Sequence, residues 1–272
     1  MNILPKLTDA ILQENDGVVT LSMNRNDVRN ALTGTALAND IVTACEWINA
    51  NTHIGTLIIT GVGSAFSAGG NIFDIHNKQG MFSGSPMEIQ ESYRNGIQRM
   101  VRAIYSIEVP TLAAVNGAAI GAGFDLACMC DIRIGSDTAK LGETFVNLGI
   151  IPGDGGAWFL PRIVGTQRAA ELTFSGRIIN AVEAREIGVF LEICPPDELM
   201  KRCEALARTF SSKPRSALRL AKRLLRAGNK LELSDFLDYC ASLQSLCHTT
   251  QEHADAVAAM VDSVTRATKA TT

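Results

Sequence analysis

Apolar and polar residues alternate over 10–23, AILQENDGVVTLSM, and Asn15, Asp16 and Gly17 interrupt the alternation at its centre. A period of two broken by a tight-turn triplet predicts two strands joined as a hairpin. Thr33 stands where a side chain can cap a helix, and Ala36, Leu37, Ile41, Ala44, Cys45 and Ile48 then recur at helical spacing to about Asn51. The run TLIITG (56–61) reads as a buried strand, a loop covers 62–85, and a helix runs from about Pro86 to Ser106. TLAAV (111–115) is another strand, a helix begins near Gly121, and DIRIG (131–135) is a strand again. This alternation predicts an α/β fold with mainly parallel strands.

From about Gly165 the pattern becomes almost wholly helical, over 166–174, 181–187, 196–211, 215–227, 232–246 and 250–268, with one strand at 189–194. No proline- or serine-rich linker intervenes, so the expected organisation is a core over 1–195 and a helical subdomain over 196–272 docked on it. The chain has 272 residues, 46% of them apolar, enough for a sizeable core. A net charge of −3 leaves no basic surplus for a phosphate backbone, which argues against nucleic acid as a partner. Seven scattered cysteines suit reduced thiols, and Cys128 and Cys130 read as packing residues rather than metal ligands. No export signal or membrane span is evident, and a cytoplasmic location is expected.

One carboxylate changes this picture. Asp125 lies inside VPTLAAVNGAAIGAGFDLACMCDIRI (109–134), where a charge must be desolvated, and a desolvated acid beside free backbone N–H groups points to chemistry. Gly61, Gly63, Gly69 and Gly70 follow one strand, and Gly117, Gly121 and Gly123 another. Such turns expose backbone N–H groups, and one from each loop would bind the oxygen of a polarised carbonyl.

AFSAGGNI (65–72), PTLAAVNGAAIGAGFDLACMCDI (110–132) and LGIIPGDGGAWFLPRIVG (148–165) resemble, in order, the signature segments of the crotonase superfamily, the enoyl-CoA hydratases and isomerases. The resemblance implies a spiral of β-β-α turns with a C-terminal helical trimerisation region, assembled as a homotrimer or a dimer of trimers. It implies an acyl-CoA thioester substrate, coenzyme A being part of the substrate, with no separate cofactor and no metal. By position, the N–H groups of Gly70 and Ala122 would form the oxyanion hole. Ala68 and Gly69 would meet the CoA moiety with Arg29 and Ala31, a surface charge being the other reading of Arg29. Arg266 and Lys269 are candidates for a CoA phosphate, against the simpler reading of solvated cations.

The family's hydratases use two glutamates. Asp125 occupies the first position, whereas the second falls on Phe145, which cannot transfer a proton. Glu143 and Asp154 are the carboxylates near enough in sequence to substitute. Glu143 would face elsewhere in a helix but can reach the site from an irregular segment. Asp154 would otherwise cap the helix that follows it. Phe73, Met81, Phe145 and Trp158 are candidates for the acyl pocket. The expected function is that of an enoyl-CoA hydratase-like enzyme with Asp125 as acid/base. Isomerisation of an enoyl- or dienoyl-CoA by a single carboxylate is the alternative, and a non-catalytic CoA- or partner-binding protein is the alternative of another class. Acyl chain length is not encoded in any recognisable motif.

Overall fold

The computed structural model describes residues 3–270. The chain begins with β1 (Ala10–Asn15) and β2 (Val18–Met23), an antiparallel hairpin whose turn residues Asp16 and Gly17 have φ of 53° and 77°. Two consecutive positive φ angles match the twist of a two-residue hairpin, which is why Asp-Gly stands there. Helix α1 (Leu37–Ala50) leads to β3 (Thr56–Gly61), followed by the short β4 (Ala65–Ser67) and α2 (Ile72–His76). Next come α3 (Pro86–Asn95), α4 (Ile97–Ser106), β5 (Thr111–Val115), β6 (Ala118–Ile120) and α5 (Ala122–Met129). β7 (Ile132–Ser136), β8 (Lys140–Gly142), α6 (Gly156–Val164), α7 (Thr166–Ser175), β9 (Ile178–Asn180), α8 (Ala181–Glu186) and β10 (Glu192–Cys194) complete the spiral. The chain ends with α9 (Leu199–Ser211), α10 (Arg215–Ala227), α11 (Leu233–His248) and α12 (Gln251–Ala270).

The strands form two sheets. One has the order β1-β2-β3-β5-β7-β10 and is parallel beyond the hairpin; the other has the order β4-β6-β8-β9, with only β9 antiparallel. Successive turns place one strand in each sheet, β3 then β4, β5 then β6, β7 then β8, so the repeat is β-β-α. Helix α9 packs Leu199, Cys203 and Ala207 on Val18, Ile58, Leu112, Ala114 and Ile134, covering one face of the larger sheet, while the main core fills the other. A parallel sheet buried on both faces accounts for the continuous apolar runs in β3 and β5.

Four sequence expectations change. Thr33 does not cap α1, which starts at Leu37 behind Ala36; its Oγ1 accepts instead from Asn71 N at 2.8 Å. The helix expected over 86–106 breaks at Gly96 (φ −99°, ψ −109°) into α3 and α4. The strand expected over 189–194 shortens to β10, because Val189 and Phe190 are held by Ala184 O in the turn after α8. The smaller sheet is unanticipated, since three-residue strands are too short to show a period.

Helix α10 docks through cations. Arg219 pairs with Glu108 at 2.9 Å and donates to Asn51 O at 3.1 Å, while Lys222 pairs with Asp131 at 2.6 Å and donates to Val109 O at 2.6 Å. Cys45, Cys128, Cys130 and Cys203 are buried free thiols, and burial raises their pKa, as packing residues require. No helix among the described residues is long and apolar enough to cross a membrane.

Candidate active site

The parallel strands of the smaller sheet end side by side, and the residues just beyond them form one wall of a cavity of about 360 Å³. Ala68 and Gly70 follow β4, Gly121 and Ala122 follow β6, and Thr144 and Phe145 follow β8. The crevice beyond the carboxyl ends of parallel strands is where an α/β sheet leaves backbone groups open to a ligand. Across it stand Ile72, Ile75, Met81, Tyr93, Ile97 and Ile150, so the cavity is chiefly apolar.

Two glycines let the walls meet. A β-carbon on Gly69 (φ 78°) would lie 2.3 Å from Ile120 O and 2.9 Å from Ala122 N, and one on Gly123 would lie 2.1 Å from Ser67 O. Their absence brings the β4 and β6 exits into contact. The segment 29–33 runs alongside: Ala68 N donates to Arg29 O at 2.9 Å and Leu32 N to Gly69 O at 2.7 Å. Among the described residues the N–H groups of Gly70 and Ala122 meet no protein acceptor, and both belong to residues of the same wall. Ala122 also opens α5, so its N–H lies at the positive end of that helix.

Three carboxyls gather behind and beside this wall. Asp125 is 0%, Glu143 1% and Asp154 5% exposed. Asp125 Oδ2 accepts from Gly156 N at 3.0 Å, and the Glu143 carboxyl lies beside that of Asp125 in the same buried pocket. Among the described residues no donor reaches Asp125 Oδ1 or either Glu143 oxygen. Gly156 is the reason they fit: its β-carbon would fall 2.1 Å from Asp125 Oδ1 and 2.3 Å from Glu143 Oε1. Burial, reinforced by the charges of Glu143 and Asp154, holds the Asp125 pKa well above the usual carboxylate range. Burial pushes Glu143 up to about 7. It pushes Asp154 up to about 6.

The sequence pattern of the enoyl-CoA hydratase/isomerase family matches residues 13–263. The chain belongs to the crotonase superfamily. It is 36% identical over 255 residues to the crotonyl-CoA hydratase of Syntrophomonas wolfei, covering 93% of this chain and 94% of that one. A probable enoyl-CoA hydratase of Mycobacterium tuberculosis is 32% identical over 257 residues, 93% of this chain and 95% of that protein. Among solved structures, the enoyl-CoA hydratase of Bacillus anthracis superposes with a TM-score of 0.87 at 29% identity, over 94% of this chain and 97% of its own. A Thermobifida fusca protein solved in complex with CoA superposes with a TM-score of 0.79 at 28% identity, over 88% of this chain and 92% of its own.

In this crotonase, the residues expected at the site divide into those on the cavity wall and those off it. Arg29, Ala68, Gly70, Met81, Ala122, Phe145 and Asp154 line the cavity. Ala31 is buried beside it, and Gly69 is the point of contact between the two loops. Asp125 and Glu143 stand together behind the wall, so of the three acids Asp154 is the one that lines the cavity. The irregular backbone of Glu143 (φ −83°, ψ 67°), before a 3-10 turn over Thr144–Leu148, turns its side chain inward while Phe145 remains on the wall. Asp154 caps no helix, because α6 begins at Gly156 behind Gly155.

Phe73 and Trp158 are not pocket residues. Phe73 is 73% exposed because Ile72 and Ile75, three apart on α2, take the cavity side. Trp158 is partly exposed and packs against Tyr105, Phe159 and the Arg162 guanidinium. Arg266 donates to Asp262 O on its own helix, and the side chain of Lys269 lies outside the described residues. Sequence reasoning missed Thr33, Tyr93 and Ile97; the helical period places Tyr93 and Ile97 on apolar faces, without saying that those faces border a ligand.

Proposed function

We propose that this crotonase hydrates an enoyl-CoA, with the thioester oxygen between the N–H groups of Gly70 and Ala122 and with Asp154 as the carboxyl that exchanges protons with substrate. The observation that carries this reading is the coincidence, in the lining of one cavity, of two unused N–H donors with an acid whose pKa is raised to about 6. Adding water to a conjugated thioester places negative charge on the carbonyl oxygen, and fixed donors in an apolar cavity stabilise that charge by several kcal/mol. Asp154 ionised takes a proton from the attacking water. The hydroxide adds to the β-carbon, and Asp154, now protonated, returns that proton to the α-carbon as the enolate collapses, while burial keeps the neighbouring Asp125 and Glu143 carboxyls biased toward their neutral forms. The names of the relatives, hydratases of crotonyl- and other enoyl-CoA thioesters, support the same assignment.

Arg29 and Ala68, at the cavity rim with Gly69 and Ala31 beside them, are assigned to the CoA moiety, in keeping with the CoA-bound neighbour. Met81 and Phe145 bound the acyl group. The division into a core over 1–195 and a helical subdomain over 196–272, the assembly as a trimer and a cytoplasmic setting belong to the same reading.

One observation favours isomerisation as the second reading: Phe145 lines the cavity where a second acid would face substrate, and moving a proton between two carbons needs one base. The two are separated by incubating the protein with crotonyl-CoA and with a 3-enoyl-CoA in D₂O. Hydration bleaches the conjugated absorbance of crotonyl-CoA and adds one water mass. Conjugation appearing from the 3-enoyl substrate without added water identifies isomerisation. Bound CoA thioesters with neither change would sink both.

A further inference from the structure

A second cavity, of about 230 Å³, adjoins the first and shares Thr33, Met81 and Ile97 with it. Its chemistry differs. Beyond these three it is lined by Thr35, Asn39, Asn95 and Arg99 among smaller or apolar residues, and it holds one cation and no acid. No protein acceptor or carboxylate engages the Arg99 guanidinium among the described residues, whereas Arg94, near the end of α3, pairs with Glu91. Thr33 stands at the junction. It is 8% exposed, its Oγ1 accepts from Asn71 N, and that oxygen lies 3.8 Å from where a Gly70 β-carbon would sit. The hydroxyl proton is left to donate. The two cavities therefore meet near Gly70, and Met81 stands at the same junction, where its unbranched thioether can rearrange around a chain.

Resting on the reading of the first cavity as the acyl-CoA site, we infer that the second cavity receives the far end of the acyl group, and that the preferred substrate is an enoyl-CoA with a distal carboxylate. The alkyl segment lies among Ile72, Ile75, Met81 and Ile97, and the carboxylate meets Arg99. Arg99 is exposed and also lines a neighbouring cleft with Glu46, so solvent screens the pairing, and a methyl-ended chain of the same length forgoes a screened but specific contact. A guanidinium accommodates a carboxylate through two parallel hydrogen bonds, the geometry that best rewards this pairing.

The test compares binding of two saturated six-carbon thioesters, adipyl-CoA and hexanoyl-CoA, by calorimetry at low ionic strength. Neither requires turnover. The expected result is about 2- to 5-fold tighter binding of adipyl-CoA, the range for an ion pair with a solvent-exposed cation. Arg99→Ala should abolish the difference and Arg99→Glu should reverse it; the exposed position of residue 99 spares the core in both. Equal affinities in the wild type, or a preference that survives Arg99→Ala, overturn the inference. Turnover of hex-2-enoyl-CoA is measured alongside. If that substrate is consumed while adipyl-CoA shows no advantage, the distal carboxylate is wrong and the acyl-CoA site stands. If neither thioester binds, the acyl-CoA reading falls and takes this one with it.

Discussion

Glu143 is 1% exposed, its carboxyl meets no donor among the described residues, and burial moves its pKa from 4.5 to about 7. Between those two pH values the folded protein holds a proton that the unfolded chain has lost. Stability from this group is therefore fully present below pH 4.5 and is lost as pH rises through 7. Glu143→Gln keeps the shape and removes the titration. Thermal melts should show the variant gaining on the wild type between about pH 5 and pH 8, by a few degrees at the upper end; parallel curves would mean that the burial of Glu143 is not what the melts sense. Asp154 carries the opposite requirement. It acts ionised, so kcat/KM should rise with pH through about 6. Asp154→Asn should remove that limb together with about 10²- to 10⁴-fold of the rate. Retention of the limb in the variant would move the assignment to the Asp125–Glu143 pair.

At the scale of elements, the site depends on how closely the β4 and β6 exits approach, and two adjacent glycines contribute unequally. Gly69 has φ 78°, and its β-carbon would collide with Ile120 O; Gly70 has no such contact, the nearest atom being Ile75 Cδ1 at 3.5 Å. Gly69→Ala should cost about 2 kcal/mol or more, from the left-handed backbone and the collision, lowering Tm by roughly 4–8 °C. Gly70→Ala should fold with a nearly unchanged Tm and lose activity through crowding in the cavity. Similar melting temperatures for the two would refute the close approach. The glycine turns were legible in the sequence because a run of Gly directly after an apolar strand ends the strand and bares the backbone that follows it. The hairpin at Asp16–Gly17 and the six-stranded sheet were legible too, from turn chemistry and from long apolar runs. The four short strands were not legible, although three of them, β4, β6 and β8, aim their exit loops at the cavity. Nor was the ranking of the acids. Asp125 stands out because its neighbours in sequence are apolar, yet that environment places it behind the wall, while Asp154 in the glycine-rich PGDGG lines the cavity. Sequence shows which carboxyl is desolvated; packing across α5, the β8 exit and α6 decides which one reaches substrate.

The whole molecule has one surface that a lone chain leaves unused. Helix α12 is anchored in its first turn, where Glu252 accepts from the N–H groups of Arg215 and Ser216 at 3.0 Å each. From 254 to 268 every residue is exposed. Val257, Met260, Val261 and Val264 recur at the spacing of one helical face and are between 47% and 66% exposed. Leu233, Leu237 and Leu246 on α11 are also open, so the apolar surface spans both helices. Contiguous apolar surface of this kind is covered in solution, and copies of the same chain, arranged about a closed symmetry axis, cover it without creating a new edge. That is the physical case for the trimer proposed above. Sedimentation of the wild-type protein at micromolar concentration should give a species three or six times the chain mass. Val261→Asp, which places a charge in the middle of the stripe and touches no residue of the cavity, should shift it toward the single chain. Because the residues that line the acyl cavity fall between Arg29 and Asp154, away from α12, the dissociated variant should still bind a CoA thioester. A wild-type protein that sediments as a single chain would leave the α12 stripe without its assigned cover and would overturn the trimer.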